Sequence, residues 1–435
     1  MDRTTTEAVG LTRRDVLKVT TLAAAFHATG GAFAAYASER IRVGLIGCGG
    51  RGVGAAIDCA NASPDVVITA LGDLFPDQIT WATQEFGRKL PPGRVTASPE
   101  TTFTGFDAFR KVLATDCDLV ILAAPPFFRP AHLAASIEAG KHVFTEKPVA
   151  VDPAGVRSVI ATSELAAKKG RAIVAGTQRR HQAHYVEILN RVRSGDIGEI
   201  VSGQAYWNMG ALWQERAAAN WAKRASGEWS DMEWQLRNWL FTAWASGDHI
   251  VEQHVHNLDI MNWAFGAHPV KCVGMGGRAA RTDPMYGNIF DHFAVEYEYP
   301  NGARVLSFCR QTQGAAENVS ERVVGTKGHT YTDSTDGYID GAKAYRNPKV
   351  SPNPYVQEHV DLIASIKAGT PLNEGRQVAE STLTAIMGRM SAYTGRALGW
   401  DWVMNASALD LTPPHMAMKG LPPLEVAVPG VTPLV

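Results

Sequence analysis

Short apolar runs alternate with amphipathic stretches through the first part of the chain. The run Ile41–Ile46 leads to a helix-compatible stretch at 53–60, and the run 66–71 leads to a predicted helix at 76–87. Continuous runs of this length are typical of parallel strands that are buried on both faces. The alternation continues with predicted strands and helices at 106–113, 118–124, 129–139, 142–144, 152–169 and 171–175. It predicts βαβ units and a doubly wound parallel sheet.

The pattern changes after about residue 195. Strands, several with two-residue alternation, are predicted at 197–208, Lys271–Gly277, 292–299, 303–311 and 319–325. The dipeptide Asn301-Gly302 predicts a hairpin turn, so we expect a mostly antiparallel sheet in a second domain. Helices at 355–368 and 378–394 close this domain. Residues 97–104 are expected to form a polar loop. Residues 411–435 form a proline-rich arm, either disordered or laid on a neighbouring subunit.

Residues 1–37 are predicted to be a targeting signal rather than part of the fold. Arg13 and Arg14 form a twin-arginine pattern, which a short apolar stretch and two small-x-small cleavage candidates follow. The apolar stretch is shorter than the roughly 20 residues of a membrane span. We therefore predict export by the twin-arginine machinery to the periplasm or the extracellular space, with no stable membrane span after processing. The remainder divides into predicted domains at 38–176 and 177–410, followed by the arm.

Composition narrows the partners further. The 435 residues carry a net charge of −1, without the basic stripe of a nucleic-acid-binding protein, so we predict no nucleic-acid partner. The five cysteines are odd in number and irregularly spaced, which argues against a disulfide framework and predicts buried thiols.

The sequence GCGGRG after the first predicted strand matches the dinucleotide-binding pattern G-x-G-x-x-G. Gly47 allows the tight turn, Gly49 leaves room for a pyrophosphate, and Gly52 lets the next helix pack close to the strand. Asp73 follows about 20 residues later, where a carboxylate accepts hydrogen bonds from the adenosine ribose and repels a 2′-phosphate. We therefore predict NAD rather than NADP, tightly bound. The predicted cofactor-binding residues are Gly47, Gly49, Gly50, Arg51, Gly52, Asp73, Pro125, His132, Glu146 and Lys147.

Lys147 follows the predicted strand at 142–144. Ligands of doubly wound sheets bind at the carboxyl ends of the strands, so this lysine is placed to reach the nicotinamide end of a bound cofactor. An ammonium there can stabilise a developing alkoxide. The Lys147–Pro148 bond is a candidate cis peptide. The alternative interpretation is an exposed lysine in a turn.

The second constellation lies at 252–259. If this segment is helical, Glu252, His256 and Asp259 share one face. A histidine flanked by carboxylates suits general-base chemistry at neutral pH. One rival interpretation is a surface helix with ordinary ion pairs, and another is a metal site formed by Glu252, His254 and His256. The spacing of the two histidines suits a strand rather than a helix and no H-E-x-x-H pattern is present, so we predict no metal.

Tryptophans crowd the segment from Trp207 to Trp244. Aromatic faces suit stacking against a sugar, but filling a core or an oligomer contact is the interpretation we favour for most of them. The residues that we predict to face a substrate are Arg180, His181 and Trp207.

Together these motifs resemble the glucose–fructose oxidoreductase/inositol dehydrogenase family (Gfo/Idh/MocA). The matching pieces are GLIGCGGRG, AGKHV leading into EKP, GTQRRH, GDIGEI and the segment 252–259. The resemblance implies an N-terminal Rossmann domain and a C-terminal α/β domain on a large, mainly antiparallel sheet that often forms the oligomer interface. It also implies Lys147 as the catalytic lysine and His256 as the catalytic base. Two departures stand beside the base, since Glu252 replaces the usual aspartate and His254 the usual glycine.

We therefore predict an NAD(P)-dependent oxidoreductase that transfers hydride between nicotinamide and a secondary alcohol of a sugar, glycoside or cyclitol. In this hypothesis His256 handles the proton, Lys147 stabilises charge, and Glu252 or Asp259 orients His256. The alternative is a redox-neutral NAD-dependent glycoside hydrolase or lyase that acts by transient oxidation and elimination. A third hypothesis, a binding protein without turnover, leaves the pairing of Lys147 with His256 unexplained. We expect a homo-oligomer, either a dimer or a tetramer.

Overall fold

The strand before the glycine-rich turn lies at the centre of a parallel sheet. The computed structural model describes residues 40–348 and 352–435. Within those ranges the first sheet has six parallel strands in the order β3-β2-β1-β4-β5-β6. They are β1 (Ile41–Ile46), β2 (Val66–Asp73), β3 (Thr102–Thr104), β4 (Leu119–Leu122), β5 (His142–Thr145) and β6 (Ile173–Ala175). The predicted doubly wound sheet is confirmed.

Helices connect these strands as the alternation predicted: α1 (Gly50–Ala62), α2 (Pro76–Lys89), α3 (Ala108–Leu113), α4 (Arg129–Glu138) and α5 (Pro153–Lys169). Helix α5 shows why local sequence was sufficient here. Asp152 caps its first turn by accepting a hydrogen bond from the Gly155 N–H at 2.8 Å, and Gly170 ends it with φ of 62°. Strand β1 lies between β2 and β4, so the chain reverses direction across the sheet there. This reversal opens a crevice beyond the carboxyl ends of the strands.

The second sheet of the described chain has nine strands in the order β14-β13-β12-β11-β7-β10-β9-β8-β15. Its neighbours are antiparallel except for the parallel pair β7 and β10. The strands are β7 (Ile200–Met209), β8 (Lys271–Gly277), β9 (His292–Glu298), β10 (Arg304–Gln311), β11 (Asn318–Gly325), β12 (Gly328–Asp333), β13 (Gly337–Gly341), β14 (Tyr345–Arg346) and β15 (Leu398–Gly399). The predicted mainly antiparallel sheet is therefore also confirmed.

Most remaining helices cover one face of this sheet or connect it to the first. They are α6 (Ala183–Arg193), α7 (Gln214–Ala225), α8 (Asp231–Arg237), α9 (Ala243–Ser246), α10 (His249–Glu252), α11 (Val255–Phe265), α12 (Pro354–Lys367), α13 (Gly375–Thr394) and α14 (Trp400–Asn405). Helix α13 is buried along most of its length because it packs on β8 and also on α5. One continuous apolar core therefore runs from the first sheet into the second.

The other face of the second sheet remains open in this chain. Met275, Ala294, Phe308 and Tyr206 stand side by side across β8, β9, β10 and β7. Tyr206 and Phe308 stack with their ring centroids 5.7 Å apart, and Met275 is 69% exposed. A contiguous apolar row on an exposed sheet is a feature of interaction surfaces.

The structure corrects the expectation for one connecting segment and adds detail to two others. The supposed polar loop at 97–104 contains β3, whose three residues are too few to carry a hydrophobic period. The tryptophan-rich segment contains helices α7 and α8. The arm at 411–435 lies on its own chain, where the Leu411 N–H donates to Asp152 at 3.0 Å and the Gly430 N–H donates to the Thr394 carbonyl oxygen at 3.0 Å. The arm therefore packs on its own chain, and its contact with a neighbouring subunit stays a prediction.

The predicted targeting signal at 1–37 lies outside the described residues. In the ranges that the structure covers, none of the helices has both the length and the apolar character needed to cross a bilayer. All five cysteines are buried free thiols.

We expect Asp152→Ala to destabilise the protein in two ways. It removes the α5 cap, at a cost of about 1 kcal/mol, and it removes the hydrogen bond that holds the arm at Leu411, at a cost of about 1 kcal/mol more. Asp152→Asn is the matched control, because its amide oxygen can keep the cap while the second acceptor is lost. In urea unfolding, the stability of Asp152→Asn should lie between that of wild type and that of Asp152→Ala. An Ala variant as stable as wild type would contradict both contributions.

Candidate active site

The glycine-rich turn is shaped by close backbone contacts. Gly47 has φ of +98°, and a Cβ atom there would lie 2.4 Å from the Ala124 backbone nitrogen. A Cβ on Gly52 would lie 1.9 Å from the Gly47 carbonyl oxygen, so helix α1 can approach β1 only with glycine at this position. Gly49 is different, because the space beside it is open apart from the Gln78 side chain at 3.8 Å. The turn therefore leaves a gap at the N-terminus of α1, where a phosphate group is favoured.

Asp73 ends β2 beside this turn. Its carboxylate accepts hydrogen bonds from the Cys48 N–H at 2.7 Å and from the Phe75 N–H at 2.9 Å. Burial raises the pKa of the Asp73 carboxyl, and the two backbone donors oppose that rise. Asp73 therefore ties the glycine-rich turn to the end of β2 while its side chain faces the crevice.

A cavity of about 390 Å³ occupies the crevice. Most of the residues predicted to bind the cofactor line it: Gly47, Gly49, Gly50, Arg51, Gly52, Asp73, Pro125 and His132. The His132 ring stacks on Phe109 at 4.2 Å, and burial lowers the pKa of His132 to about 3, so this ring is a neutral aromatic wall. Open glycine backbone, a helix N-terminus and a carboxylate at the far end fit a dinucleotide.

Arg51 and Glu146 form an ion pair beside this cavity. The Arg51 Nε donates to Glu146 at 2.5 Å, and its guanidinium also lies 3.8 Å from the buried carboxyl of Glu358. Burial, together with the nearby Glu146, raises the pKa of Glu358 well above its usual range. A Cβ on Gly176 would lie 2.4 Å from a Glu146 oxygen, so the start of the GTQRRH motif makes room for this carboxylate.

Lys147 follows Glu146, and its bond to Pro148 is cis. The Lys147 ammonium donates to the backbone carbonyl oxygen of Glu252 and to the Glu252 carboxylate at 3.2 Å. Both side chains are largely buried. The end of β5 in the first sheet therefore places the Lys147 ammonium, paired with Glu252, against helix α10 of the second domain.

His256 lies in the first turn of α11 and is buried. The Trp207 indole stacks on its imidazole with centroids 5.8 Å apart and planes at 19°. Burial lowers the pKa of His256 well below its usual range, and the positive charges of Lys147, Arg179 and Arg51 lower it further. The imidazole is therefore neutral at physiological pH and able to accept a proton.

The carboxylates predicted to share a helical face with His256 have other partners. The helix is interrupted, because α10 ends at Glu252 and α11 begins only at Val255. Asp259 accepts two hydrogen bonds from the Arg180 guanidinium, at 2.8 and 2.9 Å, and a third from Ser381 at 2.7 Å. In the described structure the two carboxylates hold Lys147 and Arg180, and the orientation of His256 by Glu252 or Asp259 stays a prediction.

Two of the three residues predicted to face a substrate are bound to the chain's own carboxylates. Arg180 pairs with Asp259, and His181 lies between Asp361, at 2.6 Å, and Glu374, at 3.2 Å. The third, Trp207, lies against His256. A role in substrate binding stays a prediction for all three, and only Trp207 contacts a candidate catalytic group.

The side chain of His254 is hydrogen-bonded to a strand of the second sheet. Its Nε2 lies 2.7 Å from the Ser307 hydroxyl on β10, and burial lowers the pKa of His254 to about 3. Among the described residues, no group of three or more histidine, cysteine, aspartate or glutamate side chains is arranged to hold a metal ion.

Sequence reasoning missed the ion pair that lies behind the site. Arg179 is buried, pairs with the buried Glu321, and has its guanidinium 5.7 Å from the centre of the Trp207 ring. Glu321 also accepts hydrogen bonds from Tyr185, at 2.9 Å, and from Asn257. The motif GTQRRH drew attention to this place, but nothing local distinguishes Arg179 from Arg180. Two tryptophans of the tryptophan-rich segment, Trp213 and Trp239, line the cavity.

Comparison with known proteins agrees with this geometry. Residues 41–177 match the Gfo/Idh/MocA model described as an oxidoreductase family with an NAD-binding Rossmann fold, and residues 185–331 match the Gfo/Idh/MocA C-terminal domain. The two models together span well over half of the chain. The chain belongs to the Gfo/Idh/MocA family. The predicted family is confirmed, and with it the prediction of an enzyme with a nicotinamide-dinucleotide-binding Rossmann domain.

Three similar proteins illustrate the range of this family. A glycosyl hydrolase family 109 protein of Shewanella amazonensis is 30% identical over 43% of this chain and 39% of its own length. The 2,7-anhydro-N-acetylneuraminate hydratase of Escherichia coli is 27% identical over 53% of this chain and 55% of its own. The chain thus spans about two fifths to just over half of these curated relatives. The aldose-aldose oxidoreductase of Caulobacter crescentus shares the fold, with a TM-score of 0.65 at 17% identity over 83% of this chain and all of its own.

We expect the His181 cluster to make stability depend on pH. Burial opposes charge on His181, but the hydrogen bonds and charges of Asp361 and Glu374 prevail and raise the pKa of His181 to about 9. A raised folded pKa contributes stability that is complete below the unfolded value of about 6.5 and is lost as pH rises through about 9. The unfolding free energy of wild type minus that of His181→Gln should therefore shrink between pH 6.5 and 10. A difference independent of pH would show that the charge contributes nothing.

Proposed function

We propose that the protein transfers hydride between a nicotinamide dinucleotide and a secondary alcohol of a sugar, glycoside or cyclitol. The observation that carries the proposal is that the Lys147 ammonium, held by Glu252, lies near enough to the buried His256 for its charge to help keep the imidazole neutral. These are the two groups that oxidation of an alcohol needs, a cation for the developing oxyanion and a base for its proton.

The proposed roles follow from the contacts of each side chain. Lys147, held by Glu252, donates a hydrogen bond to the reacting oxygen and stabilises its negative charge. His256 accepts the hydroxyl proton, and its low pKa keeps it unprotonated before the reaction. Trp207 packs on the imidazole and presents an aromatic edge towards a sugar. A bound nicotinamide would take up the hydride that leaves the substrate carbon.

The redox-neutral alternative is favoured by the names of two relatives, a family 109 glycosyl hydrolase and an anhydro-sugar hydratase. In that reaction a ring alcohol would become a ketone by giving its hydride to a bound nicotinamide and its proton to His256, and the ketone would acidify the neighbouring C–H. A base removes this proton, the bond to the leaving group breaks, water adds to the resulting alkene, and the hydride returns to the ketone. Oxidation and reduction cancel, so no nicotinamide is consumed.

We propose NAD rather than NADP as the cofactor, because the Asp73 carboxylate at the end of β2 would repel a 2′-phosphate. We also propose export by the twin-arginine route, from the Arg13-Arg14 pattern. That route carries folded proteins, so a cofactor bound before export would cross the membrane with the protein. We propose tight binding of the cofactor for this reason.

We expect Lys147→Met and His256→Asn each to lower kcat/KM by about 100-fold or more, because each removes a group that acts in the transition state. Lys168→Met on the exposed end of α5 is the control and should leave turnover unchanged. The assay combines protein purified without added nucleotide with a panel of glycosides, followed by denaturation and identification of released nicotinamide and sugar.

Reduced cofactor together with a keto-sugar or lactone would support net oxidation. Released sugar with stoichiometric NAD and no NADH would support the redox-neutral reaction. A Lys147→Met variant with wild-type turnover would refute both mechanisms.

We further propose that the open face of the second sheet pairs with a second copy of the chain. An apolar row on an exposed sheet can pack against the same row of a second copy, which is the arrangement of a two-fold homodimer interface. Met275→Lys places a charge in that row and is expected to shift sedimentation from dimer or tetramer towards a smaller species. Val431→Lys, which replaces a valine 76% exposed on the arm, is the control. A wild-type monomer at working concentration would refute the proposal.

A further inference from the structure

A helical segment of the second domain forms part of the wall of the cofactor cavity. The segment at 211–241, here called the roof segment, leaves β7 and runs over the crevice of the first sheet. It contributes cavity-lining side chains next to the glycine-rich turn and Asp73: Trp213, Arg216, Leu236, Arg237 and Trp239. Asp73 marks the adenosine end of a dinucleotide site, and neither Lys147 nor His256 lines this cavity. The roof segment therefore covers the half of the site away from the chemistry.

The roof segment is fixed to the first domain next to Asp73. The Arg237 guanidinium donates to both carboxylate oxygens of Asp77 in α2, at 2.9 and 3.0 Å, and lies 3.8 Å above the Phe75 ring. A shared apolar cluster joins α8 to the first domain and to the arm. It includes Met232 and Leu236 of α8, Phe75 and Phe106 of the first domain, and Leu421 and Leu424 of the arm. The arm is therefore a brace that holds the roof segment against the crevice.

Trp213 has a strained backbone. Its φ of 55° lies in the left-handed region, which residues with a side chain rarely adopt. Strain of this kind is retained where surrounding contacts fix the residue, and it is frequent at ligand sites. The Trp213 ring meets Trp239 edge to face at 5.6 Å, which turns it towards the cavity.

Arg216 differs from the other arginines of the roof segment in its partners. Arg224 pairs with Asp231 at 2.9 Å, and Arg237 pairs with Asp77 and Glu233. In the described parts of the chain Arg216 pairs with no carboxylate. It stacks 4.3 Å over the Trp213 ring and donates to the Arg237 carbonyl oxygen at 3.2 Å. A guanidinium that lines a cavity and carries unused donors suits an anionic or purine ligand.

We propose that Trp213 and Arg216 bind the adenosine-phosphate half of the dinucleotide, so that the roof segment is part of the cofactor site and slows cofactor exit. This inference rests on the proposed function only in that a dinucleotide occupies the cavity. The indole offers a face or edge to the purine, and the guanidinium offers N–H donors and positive charge to a phosphate. Release of the ligand requires the braced segment to move.

A second tryptophan–arginine pair on helix α7 serves as the control for variants of Trp213 and Arg216. Trp221 and Arg224 repeat the Trp-x-x-Arg spacing two turns later, with the guanidinium 4.9 Å over the ring, but neither residue lines the cavity. Loss of this second pair tests the stability of α7 without touching the site.

The experiment measures binding of NAD and of ADP-ribose, which lacks nicotinamide, by calorimetry on the full chain stripped of nucleotide. Dissociation is followed by stopped-flow loss of energy transfer from tryptophan to NADH. Arg216→Gln and Trp213→Ala are expected to weaken both ligands about 10-fold or more and to speed dissociation, because a charge-assisted hydrogen bond or a stacked ring is lost. Arg224→Gln and Trp221→Ala should stay within about 2-fold of wild type.

Wild-type affinity for ADP-ribose in Arg216→Gln would overturn the inference and leave the proposed function intact. Equal losses in the two Trp-x-x-Arg pairs would also overturn it, because they would reveal an effect on α7 as a whole. Arg216 is exposed and unpaired with any described carboxylate, so Arg216→Gln should melt like wild type and keeps the test valid if Trp213→Ala does not fold. A wild-type chain that binds neither NAD nor ADP-ribose would overturn the proposed function and the inference together.

Discussion

The contact between Lys147 and Glu252 is the interaction on which the site depends. It joins the end of β5 in the first sheet to the end of α10 in the second domain. A largely buried ammonium is tolerated only with a partner, and here the partner supplies both a carboxylate and a backbone carbonyl. That carbonyl is available because the helix breaks after Glu252: the His256 N–H bonds to the Gln253 carbonyl instead. The break in the helix that separates Glu252 from His256 therefore leaves the Glu252 carbonyl oxygen available to accept the hydrogen bond from Lys147.

The surrounding charges explain how a cationic site keeps a neutral base. Lys147 and Arg179 pair with Glu252 and Glu321, and Arg51 pairs with Glu146 and lies 3.7 and 3.8 Å from the carboxyl groups of Asp58 and Glu358. Burial removes the water that would stabilise an imidazolium, and the three cations disfavour it further. In the described residues the carboxylates of Glu252 and Asp259 pair with Lys147 and Arg180 rather than with His256. Its ring is positioned by Trp207, and Trp207 faces the Arg179–Glu321 pair.

Local sequence was sufficient wherever one short segment determines geometry. The turn from Gly47 to Gly52, the cap at Asp152 and the alternation of strands and helices all depend on neighbours within a few residues, and the doubly wound sheet follows from them. The pairing of Arg179 with Glu321 joins positions 142 residues apart, and the arm reaches Asp152 across 259. Such contacts leave no period or spacing in the sequence. The sequence could not identify which tryptophans line the site for the same reason, since only tertiary structure brings Trp213 to the glycine-rich turn.

The roof segment connects cofactor retention to the kind of reaction the site can sustain. If the roof segment slows cofactor exit as proposed, a hydride taken from one substrate has to leave on another molecule in the same site. Net oxidation then requires a second substrate that is reduced before the next turnover. The redox-neutral route meets the same condition within a single substrate, because the hydride returns to the carbon it left. A dehydrogenase that releases NADH at every turnover fits this architecture least. Retention therefore constrains the reaction class without naming the sugar.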